Sequence, residues 1–404
     1  MRYLLLVTDG AGDEPLKKLG GKTPLEAAKL DNINYLASRG TVGMVSTIPK
    51  GMVPGSDAAN LSVMGYDPKV YHTGRSPLEA VSMGIDMSPT DVAFRCNLVT
   101  LDGDSDAYEN LIIKDHSAGD ITTGEATALI KVIDEEFGTN RISFHGGFSY
   151  RHAMIVHEGS LDCDLTPPHD ILDQKIGRHL PKGEGSGFIA DMMEKSYELL
   201  KNHPINIARL EKGLNPANSI WIWGQGRKPN LTAIFDKYKV KGVTISAVDL
   251  IKGIGICAGM EPISVEGATG TIHTDYEGKA EAAIQAFKDG NDFVFLHLEG
   301  PDECSHQGDI EGKIKCLELI DERIVGPVMK FLEESEGEYR FLILPDHQTP
   351  IRIRTHLGEP VPFVLYDSGE QKNADRSRAY GESFGKKGMF FSNGYELTDF
   401  FFRK

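Results

Sequence analysis

Short apolar runs that end in polar turns constrain this chain more than any other feature. The runs Tyr3–Val7, Ser219–Trp223, Gly242–Ile245, Phe293–Leu298, Tyr339–Leu344 and Val361–Tyr366 alternate with stretches of helical character. Strands that read as continuous apolar runs are buried on both faces, so the pattern predicts an α/β fold: a mostly parallel sheet with helices on both faces. In such sheets ligands collect at the carboxyl ends of the strands. Three runs lead directly into polar residues: Asp9-Gly10 after the first, Glu299-Gly300-Pro301-Asp302 after Phe293–Leu298, and Pro345-Asp346-His347 after Tyr339–Leu344. These clusters are expected to meet at one edge of the sheet.

At 404 residues, 40% of them hydrophobic and 25% charged, the chain is too long for one small core and has the balance of an ordinary globular protein. From about Asp86 to Gly187 the texture becomes polar and irregular, although strand-like pieces (Val92–Leu101, His152–Val156) and a helical one (Thr123–Phe137) persist. Site candidates lie on both sides of this stretch. It therefore reads as a smaller α/β lobe, residues 87–187, inserted into a core formed by 1–86 and 188–404. Lys182-Gly183-Glu184-Gly185-Ser186-Gly187 would be the hinge back to the core.

The formal charge of −16 argues against non-specific attraction to nucleic acid or anionic lipid, so an anionic substrate would need a local basic pocket. The apolar run at Tyr3–Val7 is too short for a signal peptide or a membrane span, and no later run approaches the ~20 residues a span requires. Five scattered cysteines without a CxxC pair suggest neither a disulfide framework nor a zinc knuckle; a reducing cytoplasm is the expected location.

Asp302-x-x-x-His306, Asp346-His347 and His356 form the strongest chemical cluster. Carboxylates and imidazoles grouped at strand ends suit Zn²⁺ or Mn²⁺. Residues four apart on a helical turn point the same way, so Asp302 and His306 could chelate one ion. Asp346 and His347 are neighbours that would face opposite sides of a strand, and only a loop lets both point inward. Any one of these residues alone would be read as a solvated loop residue. Their joint placement past apolar strands, with Asp9 after the first, points to a metal site.

A second cluster, Pro54-Gly55-Ser56-Asp57, precedes a helix-like run to Met64 and puts Ser56 at or near a helix N-cap. A capping serine is the bland reading. The same position suits a nucleophile, because a helix N-terminus favours an arriving phosphoryl group and a metal ion activates a hydroxyl.

Together these pieces resemble the alkaline phosphatase superfamily, and within it the cofactor-independent phosphoglycerate mutases of archaeal type. The matching stretches are Asp9-Gly10, Gly55-Ser56-Asp57, Gly65-Tyr66-Asp67-Pro68, Gly74-Arg75, Ala93-Phe94-Arg95-Cys96-Asn97, Gly267-Ala268-Thr269-Gly270, Asp302 to His306, Pro345 to Pro350, and His356. The resemblance implies two divalent ions (Mn²⁺ or Zn²⁺, with Mg²⁺ as a further option) and no 2,3-bisphosphoglycerate. It implies one ion on Asp302, His306 and His356 and the other on Asp9, Ser56, Asp346 and His347. Ser56 would take the phosphate of 3-phosphoglycerate as a phosphoserine and return it to give 2-phosphoglycerate, a step of glycolysis and gluconeogenesis. The core would be alkaline-phosphatase-like and the inserted lobe would close over the site to exclude water.

A phosphorylated small metabolite needs cations, and Arg75, Arg95, Arg151 and Lys252 are the candidates, with Asn97 and His116 beside them and His152 as a further acid–base candidate. One departure stands out: archaeal mutases carry Arg-Ala-Gly-Arg where this chain has Asp115-His116-Ser117-Ala118-Gly119-Asp120. That change, and the segments Pro216–Gly226 and Thr166–His169, resemble a bacterial branch proposed to act as homoserine kinases in threonine biosynthesis. Such a phosphotransferase is the alternative, and a metal-dependent phosphohydrolase with the same centre is a third reading. Oligomeric state is left open by the sequence.

Overall fold

Apolar side chains on both faces place Arg2–Thr8 in the middle of a sheet and not at its edge: Leu4, Leu5, Leu6 and Val7 are all fully buried. The computed structural model describes residues 1–103, 105, 107–370 and 373–403. They form two compact units, 1–72 with 230–404 and 73–229. In chain order the strands are β1 (Arg2–Thr8), β2 (Thr41–Val45), β3 (Val92–Asp102), β4 (Ile112–Asp115), β5 (Ile142–His145), β6 (Arg151–Val156), β7 (Ser219–Arg227), β8 (Gly242–Ile245), β9 (Glu261–Ile263), β10 (Phe293–Leu298), β11 (Tyr339–Leu344), β12 (Val361–Asp367) and β13 (Met389–Phe391).

The first unit is built on an eight-stranded sheet in the order β13-β2-β12-β11-β1-β10-β8-β9. β1 lies between β10 and β11 and is parallel to both. The registers Thr8↔Leu298 and Val7↔Leu344 bring the three strand ends level, so the residues that follow leave the sheet side by side. Only β12 runs against its neighbours. Helices at Asp31–Arg39, Tyr276–Lys288 and Ile310–Ile320 pack Ile33, Leu36, Ala283, Phe287, Leu317 and Ile320 against Leu4, Leu6 and Leu296.

The second unit is a separate antiparallel sheet, β4-β3-β6-β5, with β7 paired along β3. The helices Thr123–Phe137 and Gly187–Leu200 close its core with Leu129, Ile130, Ile133, Met192 and Met193 against Phe94, Leu98 and Met154. The helix expected at Thr123–Phe137 has those bounds.

Three expectations change. Ser219–Trp223 reads as a strand of the parallel sheet, but it belongs to β7 and pairs antiparallel with β3. Apolar content marks burial, and it cannot say which of two sheets supplies the partner. Val361–Tyr366 joins the large sheet as its antiparallel member, β12. The glycine-rich stretch at 182–187 lies inside the second unit, where Gly183 and Gly185 turn against Asp162. The unit therefore runs over 73–229, wider than the 87–187 read from the sequence, because β7 is needed to cover β3.

Candidate active site

The clusters after β1, β10 and β11 come together. Asp9 follows β1, Asp302 and His306 lie on the helix Gly300–Gln307 just past β10, and Asp346 and His347 occupy a non-helical loop past β11. That loop lets Asp346 and His347 both turn inward, with no exposure. Asp346 is held in place by its neighbours: Oδ1 accepts the Gly10 and His347 N–H groups at 3.1 and 2.9 Å, and Oδ2 accepts Asn60 Nδ2 at 2.8 Å.

The imidazoles are oriented by what their outer nitrogens meet. His306 Nδ1 lies 2.9 Å from the Arg354 carbonyl, which can only accept, so Nδ1 carries the proton and Nε2 presents its lone pair inward. Thr349 gives its hydroxyl proton to Asp302 Oδ1 at 2.5 Å; its oxygen, 3.1 Å from His347 Nδ1, is left to accept from that ring. His347 Nε2 accordingly points at Ser56 Oγ (3.1 Å), Asp9 Oδ1 (3.4 Å) and Asp346 Oδ2 (3.5 Å).

Around Asp302, His306 Nε2 is 3.1 Å from Oδ2 and also 3.1 Å from His356 Nε2, which itself lies 3.7 Å from Oδ2. Donor atoms facing one another at such distances repel unless a cation stands between them. The same holds for charge: burial raises Asp9 well above the usual carboxylate range, and the neighbouring charges of Asp346, Asp302 and Glu299 push it further. With only a proton to serve as cation, the bond from Asp302 drives His306 up to about 9 against the opposing effect of burial. Burial would raise Asp302 too, but the bonds from His306 and His356 outweigh it and hold this carboxyl far below its usual value. Burial pushes His347 down. Two groups, Asp302 with His347 and His356 and Asp9 with His297 and Asp346, each bring three donor atoms within 4.8 Å of one another. Among the described residues Asp9 Oδ1 has no hydrogen-bond partner although it is buried. The donor set and its orphaned atom fit divalent metal ions.

Ser56 does not cap its helix. Gly55 is the N-cap of Ser56–Val63, and Ser56, the first helical residue, turns its Oγ toward His347. Gly10 is required where it stands, since its φ is +61° and a Cβ there would lie 2.3 Å from Asp302 Oδ1.

The substrate candidates are divided between the units. Lys252 is in the first, paired with Asp249 at 3.2 Å. The others are in the second, where Glu79 receives Arg75 Nε at 3.0 Å and Arg95 Nε at 2.8 Å, with a second bond from Arg95 Nη2. Burial would raise Glu79, but the bond and charge of Arg95 hold it below its usual value. The Arg95 guanidinium also lies 4.7 Å from the Trp223 ring centre. Asn97 accepts Trp223 Nε1 at 2.9 Å and donates to the His116 carbonyl at 3.1 Å. His116 and His169 approach edge to face at 6.1 Å, and His169 meets Trp223 at 5.2 Å. Arg151 is exposed and lies over Tyr150. His152 is buried, accepts the Gly147 N–H through Nδ1, and is pushed down to about 3 by burial.

Sequence reasoning missed His297, Asn60, Thr349, Glu79, His169 and Trp223. His297 did leave a signal, as the one polar residue in the otherwise apolar Phe293–Leu298. Asn60, Thr349, His169 and Trp223 meet partners far along the chain (Asp346, Asp302, Trp223 and Asn97), whereas Glu79 is held by Arg75 and Arg95, 4 and 16 residues away.

The family model for 2,3-bisphosphoglycerate-independent phosphoglycerate mutase matches residues 37–206. A protein of Geobacter sulfurreducens described as a probable 2,3-bisphosphoglycerate-independent phosphoglycerate mutase is 47% identical over 399 residues, covering 99% of each chain. The 2,3-bisphosphoglycerate-independent phosphoglycerate mutase of Methanosarcina barkeri is 48% identical over 389 residues, covering 96% of each. Among solved structures, a protein from Pyrococcus horikoshii aligns with a TM-score of 0.81 at 30% identity, covering 99% of this chain and 96% of that one. The cofactor-independent phosphoglycerate mutase from Thermoplasma acidophilum aligns at 0.68 and 26%, covering 99% and 98%. No helix among the described residues is long and apolar enough to cross a membrane. With nearly half of its residues shared over almost the whole length of such relatives, the chain belongs to the family of 2,3-bisphosphoglycerate-independent phosphoglycerate mutases, enzymes of the isomerase class.

Proposed function

We propose that this chain interconverts 3-phosphoglycerate and 2-phosphoglycerate through a phosphoserine on Ser56. The observation that carries the reading is Ser56 Oγ, at the first turn of Ser56–Val63, 3.1 Å from His347 Nε2, which itself faces Asp9 Oδ1 and Asp346 Oδ2. Divalent ions, Mn²⁺ or Zn²⁺ in preference to Mg²⁺, held by Asp9, Ser56, Asp346 and His347 and by Asp302, His306 and His356, would supply the charge that steadies attacking and leaving oxygens in an in-line displacement.

Ser56 Oγ gives up its proton and forms a bond to phosphorus as the bond from phosphorus to the 3-oxygen breaks, and that oxygen takes a proton. The return step runs in reverse from the 2-hydroxyl. The N–H groups at the start of Ser56–Val63 favour the phosphoryl group on its serine. Arg95, paired with Glu79 and lying over Trp223, is the second unit's candidate cation for an anionic group of the substrate. The substrate is a small phosphorylated metabolite, and the cytoplasm is the corresponding location.

A homoserine kinase-like activity would call on acidic residues around His116 as partners for the ammonium group of its acceptor. Asp115 is already engaged: Oδ1 accepts the Ser117 N–H and hydroxyl, and Oδ2 accepts Gly119 N and Asn215 Nδ2. Its carboxylate folds the turn. Purified protein incubated with Mn²⁺ and 3-phosphoglycerate tests the proposal. Formation of 2-phosphoglycerate supports it, its absence at high enzyme concentration overturns it, and release of free phosphate instead favours the hydrolase.

A further inference from the structure

His297 is 1% exposed in the middle of the large sheet, on the strand beside β1. Burying an imidazole with an unpaired nitrogen is unfavourable, so its retention in an apolar strand calls for a partner. One side of the ring has such a partner. Nδ1 lies 3.2 Å from Ser246 Oγ, just past β8, and that oxygen also accepts the Val248 N–H at 3.0 Å. The other side faces the site: Nε2 stands 3.1 Å from Asp9 Oδ2, yet without hydrogen-bond alignment, and it has no hydrogen-bond partner among the described residues.

Two donor atoms that share an ion at ~2.1 Å stand roughly 3.0–3.4 Å apart in octahedral or tetrahedral geometry. The separation of His297 Nε2 from Asp9 Oδ2 falls in that range, and Asp346 completes a fully buried trio with donor atoms within 4.8 Å of one another. Three of the four imidazoles of this centre, His306, His347 and His297 but not His356, share one arrangement, with an oxygen on Nδ1 and Nε2 aimed at carboxylates: Arg354 O for His306, Thr349 Oγ1 for His347 and Ser246 Oγ for His297. The ligand set implied by resemblance leaves His297 out.

We propose that His297, set by Ser246, is a further ligand of the divalent ion bound by Asp9 and Asp346, through Nε2. A neutral imidazole adds a donor without adding charge to a pair of carboxylates that one divalent ion already balances. Ser246 is a positioning residue, since its Oγ bonds the ring and the Val248 N–H and acts on the ion only through His297.

The proposal rests on the two-ion reading, and it is tested on the full chain by counting bound Mn²⁺ and titrating its affinity, independently of catalysis. Asn in place of His297 keeps an amide near the Nδ1 position to meet Ser246 and removes Nε2. H297N is expected to hold one ion as the wild type does and to bind the other roughly 10- to 100-fold more weakly, with S246A weakening the same ion by a smaller factor. Two ions at wild-type affinity in folded H297N overturn the role of His297 and leave the two-ion reading intact. A wild-type chain that takes up no divalent ion overturns that reading itself. Should H297N not fold, S246A decides: weakened affinity for one ion supports the proposal, and unchanged affinity for both overturns it.

Discussion

The backbone of Gly10 runs against the side chain of Asp302, so close that a Cβ on Gly10 would sit 2.3 Å from Oδ1 and 2.7 Å from the Asp302 Cα. Asp302 cannot retreat from it, because Oδ1 is tied to Thr349 and Oδ2 faces His306 and His356. Gly10→Ala therefore combines a left-handed φ with a clash against backbone and a site carboxylate, and strain of this kind costs on the order of 1–3 kcal/mol. The variant should melt earlier and bind Mn²⁺ more weakly, as thermal unfolding and metal titration would record. A variant with wild-type melting and affinity would show that the contact is not tight in solution.

Ser56→Ala removes the attacking oxygen, which is also one of four proposed ligands of one ion, and leaves the helix start intact, since Gly55 and not Ser56 is its N-cap. Mutase activity should fall by roughly 10³-fold or more, with the melting temperature nearly unchanged. Intact mass after rapid quench with 3-phosphoglycerate should show a phosphorylated chain for the wild type and none for the variant.

Chelation should destabilise the chain as well as silence it. Asp9, Asp302 and Asp346 converge in a buried space, and without cations their repulsion is relieved only by taking up protons, as the raised Asp9 indicates. Restoring Mn²⁺ at about 100 times its Kd should stabilise the folded state by about 2.7 kcal/mol per ion. Differential scanning calorimetry of the chelated and refilled protein measures this, and identical melting curves would contradict it.

Glu382 offers a pH test away from the metal centre. Its carboxyl is 4% exposed, accepts the Asp13 N–H at 3.0 Å and the Thr23 hydroxyl at 2.5 Å, and is pushed by burial from 4.5 up to about 7. The folded chain holds this proton to higher pH than the unfolded one. Its contribution to stability is thus complete below about 4.5 and declines as pH rises through about 7, by on the order of 3 kcal/mol at most. Glu382→Gln should flatten the stability profile between those values and melt above the wild type at pH 8. A variant whose profile keeps the wild-type slope would assign that slope to other groups.

Much of the centre is legible in the sequence. Asp302 and His306 could be paired because helical spacing is local, and Asp9 and Asp346 could be grouped because parallel strands bring their carboxyl ends to one edge. His297 escaped because a lone polar residue inside an apolar strand is as compatible with a satisfied core histidine as with a ligand. The pairing of Arg95 with Glu79 escaped because a side-chain fork across 16 residues leaves no periodic trace.

The sequence by itself determined the α/β class, the strands that carry the site, the family and the types of donor atom, because hydrophobic periodicity, strand-end polarity and motif content are properties of neighbours along the chain. Only the tertiary structure decided that Ser219–Trp223 pairs with β3, that Ser56 Oγ meets His347 Nε2, and that His297 turns its free nitrogen toward Asp9. Those relations join residues tens to hundreds of positions apart, and their distances are set by the packing of whole sheets, which no local pattern encodes.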